Sequence, residues 1–270
     1  MDLQKTDKEK RIIERVLIGI LFGISMLSTV LFAAIVFWLL KNGLPTLNAE
    51  FLMTKTSVIE GKIGIREYLL NTWCILLSAL FLAGVMGIMT TIYICEYGKN
   101  QNILNKIHFA IEILAGIPSI VFGLFGMVFF GEGMKLGYSL LTGSLTLTIM
   151  VLPIVIKSTK MAIEEVPDSY KMGALSLGAG KWYMVRTILL PEAVSGIAAG
   201  LTLSAGKILG ESAALLFTAG SKGSLSVAIY LFLSQGRMEE AYASALLLLG
   251  MMFMLNLLLQ IFREKKKYRK

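Results

Sequence analysis

Six long stretches of the chain are almost free of charged residues, and polar segments separate them. Since a helix needs about 20 apolar residues to cross a bilayer, each stretch is long enough to span one. The stretches comprise residues 16–40, 68–95, 109–130, 136–156, 193–217 and 241–262. This pattern predicts an all-α, polytopic membrane protein with six transmembrane helices, in which residues 1–270 form a single membrane domain.

The first apolar stretch is predicted to be a retained transmembrane helix rather than a signal peptide. A signal-peptide core has roughly 7–15 apolar residues and ends at small residues. Here the uncharged run continues from Val16 to Leu40 and ends in two aromatic and two leucine residues. The length and the bulky end both favour a membrane span.

The distribution of basic residues predicts the orientation of the chain. Of the 26 Lys and Arg residues, 18 lie in segments on one side of the predicted spans and seven on the other, and the last is Lys207. Cytoplasmic segments of membrane proteins carry the excess of Lys and Arg, so both termini and the 158–191 loop are expected in the cytoplasm. The net charge of +8 is therefore interpreted as a set of anchors at the anionic lipid surface, and no nucleic acid is expected as a partner.

The sequence contains no motif for ATP hydrolysis. A P-loop requires a glycine, four residues and then Gly-Lys-Ser/Thr. The Gly-Lys pairs at 180–181 and 206–207 lack that first glycine, because Leu175 and Leu201 occupy the position. We expect that any ATP is used by another chain, that this chain is not an enzyme, and that it has no catalytic residues.

No resident metal or cofactor is expected either. His108 is the only histidine, which makes a histidine-based metal site improbable, and Cys74 and Cys95 have no partner at metal-binding spacing. Both cysteines lie in apolar stretches and are interpreted as packing residues.

The 158–191 loop is the longest polar segment between two apolar stretches. Asp168 or Ser169 can cap the start of one helix, Gly178 permits a tight turn, and Pro191 suits the first turn of the next helix. A simple connection needs only a few residues, so a folded loop of this length suggests that a partner docks on it. A folded connection without a partner is the alternative.

The fifth apolar stretch contains an intramembrane charge pair. Two Gly-xxx-Gly pairs, 196/200 and 206/210, predict close helix packing. Packing does not explain Lys207 and Glu211, because a charge at the bilayer centre costs about 2.5–3.5 kcal/mol on insertion scales. Residues four apart share one helical face, so the two are predicted to pair with each other or to line a polar cavity with a second chain.

The third apolar stretch is interrupted by Gly116 and Pro118. Proline removes an N–H group and disturbs the preceding helical turn. If the helix breaks there, the new N-terminus offers free N–H groups and a positive dipole end that suit an anion. A simple proline kink explains the pattern equally well.

Several motifs resemble those of permease subunits of ABC importers. The spacing of Gly178, Ile188 and Leu190-Pro191 resembles the family's loop signature, and this loop fits a groove on the ATP-hydrolysing subunit in that family. The family usually begins the signature with Glu-Ala-Ala, whereas residues 172–174 are Met, Gly and Ala, so a salt bridge from the first position is not expected.

Three further segments resemble PstA-type subunits of phosphate importers. Residues 116–126 are similar to the third-span motif, residues 206–219 to the fifth-span motif, and short segments within 166–182 to the loop. PstA-type subunits usually carry Arg and Thr where this chain has Lys207 and Ser212. Lys retains the charge but lacks the bidentate fork that suits phosphate.

The resemblance implies a type I ABC importer permease fold and a permease subunit for inorganic phosphate in a bacterial or archaeal cell membrane. It implies three partners: a PstC-type permease, a dimer of ATP-binding subunits that use ATP, and an extracytoplasmic phosphate-binding protein. The implied substrate-pathway residues are Lys207, Glu211, Ser212, Pro118 and Ser119. The implied ATPase-coupling residues are Asp168, Tyr170, Gly173, Ala174, Leu177, Gly178, Lys181 and Pro191.

Two alternatives remain open at the level of sequence. One is a permease for a related oxyanion, and the other is a secondary transporter or channel that works without ATPase subunits. The folded 158–191 loop favours an ATP-driven importer. A second intramembrane acidic relay would favour a secondary transporter, and Glu112 is its only further candidate.

Overall fold

The computed structural model describes residues 2–55 and 64–267, and within these ranges the regular elements are helices. Five segments are long and apolar enough to cross a membrane: Ile13–Thr46, Arg66–Tyr97, Leu140–Glu164, Lys181–Gly210 and Met238–Leu258. A further pair of helices, Gln101–Gly116 and Ser119–Gly133, passes the same test together and is bent by 104°. The predicted all-α fold is confirmed, and the number of spans is six when this bent pair is counted as one span.

The helices of the described residues are α1 (Asp2–Gly43), α2 (Ala49–Met53), α3 (Arg66–Ile92), α4 (Gln101–Gly116), α5 (Ser119–Gly126), α6 (Leu140–Glu164), α7 (Asp168–Ser176), α8 (Lys181–Met184), α9 (Leu190–Gly210), α10 (Ala213–Thr218), α11 (Leu225–Ser234) and α12 (Met238–Lys267). Segments of π-helix continue α3 and α5 and join α8 to α9: Tyr93–Tyr97, Met127–Gly133 and Val185–Leu189.

Helix α6 lies at the centre of the bundle and contacts α3, α4, α5, α9 and α10. Its Leu147 and Val151 are fully buried in the main apolar core. Two of its buried hydroxyl groups are satisfied within the helix, because Thr146 and Thr148 donate to main-chain carbonyls one turn earlier, at 2.8 and 2.7 Å. The hydroxyl of Thr159, also buried in α6, has no hydrogen-bond partner among the described residues.

The first predicted glycine pair brings α9 close to α6. A Cβ at Gly196 would lie 2.5 Å from the Cβ of Ala162, and a Cβ at Gly200 would overlap Ser158. Only glycine allows this approach. The second pair, 206/210, has no such role, because a Cβ there would meet only the end of a methionine side chain or nothing within 4 Å.

The predicted helix bounds need two corrections. The fifth span was predicted to be continuous over residues 193–217, but α9 ends at Gly210 and a separate helix, α10, begins at Ala213. The 158–191 loop is shorter than predicted, because α6 continues to Glu164 and α9 already begins at Leu190.

Helix α11 was not predicted, since its ten residues are too short to cross a membrane. It packs against α12 and the start of α3. The N–H of Leu225 donates to the hydroxyl of Thr72 at 2.8 Å, and the rings of Tyr68 and Phe232 meet edge to face at 6.4 Å. These contacts tie α11 to the beginning of the second span.

Candidate functional site

The third span is broken at Pro118 rather than kinked. Helix α4 ends at Gly116, the backbone of Ile117 and Pro118 is extended, and α5 begins at Ser119. No side chain caps the start of α5. The N–H of Val121 donates to the carbonyl of Pro118 at 3.0 Å, so the N–H groups of Ser119 and Ile120 are the ones without an intrahelical acceptor. The break therefore supplies the positive helix end that the sequence suggested as one of two possibilities.

The fifth span is broken at Glu211. The backbone of this residue is extended, with φ −82° and ψ 116°, and the residue is only 9% exposed. A carboxylate oxygen accepts a hydrogen bond from the N–H of Ala214 at 3.0 Å, so Glu211 caps α10. Its main-chain carbonyl accepts the hydroxyl of Ser226 at 2.6 Å, which links the break to α11.

The prediction that Lys207 and Glu211 share one helical face is wrong. Helix α9 ends between them, at Gly210, and the carboxylate of Glu211 accepts a hydrogen bond from Ala214 of α10. Lys207 is exposed and forms no ion pair within residues 2–55 and 64–267. Ser212, which precedes α10, is half-buried and does not cap the helix with its side chain.

The two interrupted spans lie side by side. Helices α5 and α10 pack so closely that a Cβ on Gly123 would lie 2.8 Å from the Cα of Ala214. Ser119 precedes Gly123 by about one helical turn. The break before Ser119 and the break before α10 therefore lie at the starts of two neighbouring helices.

The 158–191 loop folds as a pair of helices around Gly178. This glycine has φ +83°, which confirms the predicted glycine-specific turn. Pro191 lies in the first turn of α9, also as predicted. Asp168 does not cap α7, because Pro167 occupies that position and no side chain caps the helix.

The underside of the loop is anchored in the bundle by apolar contacts. Ala174, Met184 and Leu189 are buried in a cluster with Ile92 of α3 and Ile163 of α6. The loop is therefore a rigid extension of the transmembrane helices rather than a free connection.

The outer side of the loop presents apolar side chains and a groove of about 860 Å³. Leu177 is 90% exposed, and Met172, where the ABC importer family usually carries an acidic residue, is also exposed. The groove is lined by Ser169, Tyr170, Gly173, Ala174, Leu177, Gly178, Ala179, Tyr183, Thr187 and Ile188. Five of the predicted coupling residues therefore line one surface, whereas Asp168, Lys181 and Pro191 lie outside it.

Sequence reasoning missed the role of Glu96, in the π-helical turn that ends α3. The Nζ of Lys171 lies 3.3 Å from the carboxylate of Glu96, and the Nζ of Lys181 donates to its main-chain carbonyl at 3.1 Å. Lys181 also lies over the ring of Tyr97, 5.9 Å from its centre. Nothing in the sequence signals contacts between segments so far apart.

Curated relatives of this chain are permease subunits. It is 37% identical to the probable ABC transporter permease protein YqgI of Bacillus subtilis (strain 168) over 68% of its own length and 62% of that protein's length. It is 33% identical to the phosphate transport system permease protein PstA of Yersinia pestis over 76% and 74% of the two lengths. PstA of Pasteurella multocida (strain Pm70) is 29% identical over 96% of this chain and 95% of its own.

Solved structures of ABC transporters share the fold. A chain of a bacterial alginate ABC transporter, in complex with an alginate pentasaccharide-bound periplasmic protein, aligns with a TM-score of 0.74 over 93% of this chain and 95% of its own. A chain of the MetNI methionine ABC transporter in an inward-facing conformation aligns with a TM-score of 0.66 over 78% of this chain and 99% of its own. The identities are 16% and 17%, so the fold alone is shared. The predicted type I ABC importer permease fold is confirmed.

A family profile covers the part of the chain that contains both broken spans and the loop. It is the profile of the binding-protein-dependent transport system inner membrane component, and it matches residues 104–265. With more than half of the chain inside that match, and with permease relatives along most of its length, this protein belongs to the binding-protein-dependent transport system inner membrane component family.

Proposed function

We propose that this chain is the permease subunit of an ATP-driven importer of inorganic phosphate. The observation that carries the proposal is the pairing of two interrupted spans, α4–α5 and α9–α10, through Gly123 and Ala214. One interruption exposes an uncapped helix start at Ser119, and the other follows a lysine without an ion-pair partner among the described residues. A positive helix end and a free ammonium group both attract an anion. The similarity to phosphate permeases named PstA supports phosphate as that anion.

In this proposal Lys207 attracts the anion, and the first-turn N–H groups of α5 beside Pro118 and Ser119 contact it. Ser212 supplies a further polar group at the second break. Glu211 serves the pathway indirectly, because its carboxylate holds the start of α10. A conducting site must also release its ion, and a single lysine without a guanidinium fork binds phosphate less rigidly.

A lysine at position 207, rather than an arginine, favours a second candidate function, a permease for a related tetrahedral oxyanion. A guanidinium group matches two phosphate oxygens at once, whereas an ammonium group acts as a point charge. Selectivity for phosphate over a similar anion would then depend on the partner permease as well.

The energy would come from separate ATP-binding subunits that dock on the outer side of the 158–191 loop. The exposed apolar side chains and the groove there suit an apolar partner surface. A PstC-type permease would supply the other half of the path, and an extracytoplasmic binding protein would deliver phosphate. Leu21 and Phe22 of α1 are exposed, as expected for a helix that faces lipid or another permease.

The orientation belongs to the same proposal. With both termini and the 158–191 loop in the cytoplasm, the loop lies where ATP is available. The excess of basic residues on that side supports this placement in a bacterial or archaeal cell membrane.

Uptake of radiolabelled phosphate tests the function directly. The chain is expressed with its partner subunits in cells that lack other phosphate importers, and uptake is measured before and after ATP depletion. We expect ATP-dependent uptake that unlabelled phosphate suppresses more strongly than sulfate or molybdate. Uptake that survives ATP depletion would indicate a secondary transporter, and stronger suppression by another oxyanion would identify that anion as the substrate.

A further inference from the structure

We propose that Glu96 is a positioning residue that fixes the 158–191 loop to the end of α3 and so transmits movement between the loop and the second span. The proposal rests on the proposed function only for the consequence of that movement, the coupling of ATP hydrolysis to transport. We call the two contacts of Glu96, with Lys171 and with Lys181, the clamp. The clamp itself is a property of this chain.

Glu96 contacts both helices of the loop, on either side of the turn at Gly178. Lys171 belongs to α7 and forms the ion pair with the carboxylate at 3.3 Å. Lys181 begins α8 and donates to the main-chain carbonyl at 3.1 Å. One residue of the π-helical turn that follows α3 therefore adds a polar restraint to both helices that flank the turn at Gly178.

The ion pair is shielded from water. The side chains of Lys171 and Glu96 are only 20% and 11% exposed. Screening by solvent and salt, which makes most surface ion pairs negligible, is therefore reduced here. The carboxylate oxygen nearest Lys171 is buried and accepts no hydrogen bond within the described residues. Loss of the lysine would leave this charge without compensation.

Lys171 also contacts a second acid, Asp168, so its two ion pairs can be compared. Its Nζ lies 3.6 Å from the carboxylate of Asp168, whose side chain is 89% exposed. The two acids thus contact one ammonium group in different environments. A shielded pair restrains its partners more strongly than a solvated pair at a similar distance.

Apolar contacts beneath the clamp hold the loop against α3, but they do not fix the position of one along the other. Ile92, one turn before Glu96, is buried in a cluster with Ala174 of α7 and Met184 of α8. Apolar contacts are non-directional and permit small sliding movements, whereas an ion pair and a hydrogen bond specify one register. The contacts of Glu96 therefore fix the register of the loop on α3, so that a movement of one displaces the other.

The first test measures amide hydrogen exchange in the complete importer complex. Glu96→Gln should accelerate exchange of the α7 amides by about fivefold, the size expected for loss of one modest ion pair. The α8 amides should change less, because Lys181 donates to the main-chain carbonyl, which the substitution retains. Exchange in α6 should not change. Asp168→Asn is the matched control and should leave loop exchange near that of the wild type. Unchanged loop exchange in Glu96→Gln, or equal acceleration in Asp168→Asn, would overturn the clamp.

A double variant separates the ion pair from a general structural effect. If Lys171→Gln and Glu96→Gln act through the same contact, their combination should be no more severe than the stronger single variant. Additive effects would overturn the assignment of the ion pair.

The second test compares substrate-stimulated with basal ATP hydrolysis in the same complexes. Glu96→Gln should reduce the stimulation by about fivefold with basal hydrolysis retained. Faster loop exchange with wild-type stimulation would overturn the role in coupling. A wild-type complex that phosphate does not stimulate would instead contradict the proposed function, and the exchange results would still decide the clamp.

Discussion

The Cα of Ala214 lies so close to Gly123 that a single methyl group added to the glycine would come within 2.8 Å of it. A methyl group there meets main-chain atoms, which cannot rotate away as a side chain can. The contact joins the two broken spans and makes position 123 a sensitive probe of the pathway.

Gly123→Ala should destabilise the protein by ~1–3 kcal/mol, the usual cost of overpacking, and should reduce phosphate uptake. Gly116→Ala is the control, because nothing lies within 4 Å of a Cβ at that position. It should be neutral in both measurements. Thermal unfolding of the purified complex and uptake at equal membrane levels measure the two effects. Equal behaviour of the two variants would contradict the close packing of α5 and α10.

Lys207→Ala should lower phosphate uptake by about 10- to 100-fold, the loss expected for one hydrogen bond to a charged group. The protein should still insert, since removal of an intramembrane charge makes insertion easier. Lys207→Arg should retain substantial uptake because the charge remains. Lys99→Ala, in an exposed segment between α3 and α4, is the control. If Lys207→Ala transports like the wild type, the pathway assignment of this residue is wrong.

Glu211→Ala should destabilise the start of α10 by about 0.5–2 kcal/mol, the usual cost of losing a helix cap. Glu211→Gln should be milder, because its amide oxygen can still accept the hydrogen bond from Ala214. If Glu211 instead acted through an ion pair with Lys207, both variants would remove the charge and should be equally harmful. Thermal unfolding of the complex distinguishes the two roles of the carboxylate.

Gly178→Val should strain the turn of the 158–191 loop by ~1–3 kcal/mol, because valine rarely adopts a positive φ. Insertion should be normal, and the stimulation of ATP hydrolysis by substrate should be lost. Gly180→Val is the matched control, since Gly180 has φ −69° and open space around its Cα. Wild-type coupling in Gly178→Val would show that the turn is not required.

Reporter tags at both termini and at Gly180 should be cytoplasmic, and a tag at Asn48 should be extracytoplasmic. Accessibility to a membrane-impermeant label in intact cells measures this. A label that reaches Gly180 from outside would reverse the orientation and exclude docking of ATP-binding subunits on the loop.

The break at Glu211 shows why the chemistry of the fifth span could not be predicted from spacing. An apolar run with a lysine and a glutamate four residues apart is compatible with one continuous helix. At the observed end of α9, the main-chain carbonyl of Glu211 accepts the hydroxyl of Ser226 from α11. No local pattern reveals a hydrogen bond between residues that the fold brings together.

The interrupted third span was only partly predictable. Pro118 indicated a disturbance, but proline permits either a kink or a break. The close packing of Gly123 and Gly126 against Ala214 and Thr146 favours the break, because it directs α5 along α10 and α6. Such neighbours exist only in the folded bundle.

Six apolar stretches, the position of the loop and the turn at Gly178 could be predicted from the sequence. These features depend on local properties: an apolar length that matches a bilayer, polar segments between the spans, and a backbone angle that favours glycine. Three features became visible only in the folded protein: Glu211 caps α10, the two breaks adjoin, and Glu96 contacts Lys171 and Lys181. Those contacts join residues distant in the chain, and their geometry follows from how the helices pack around α6.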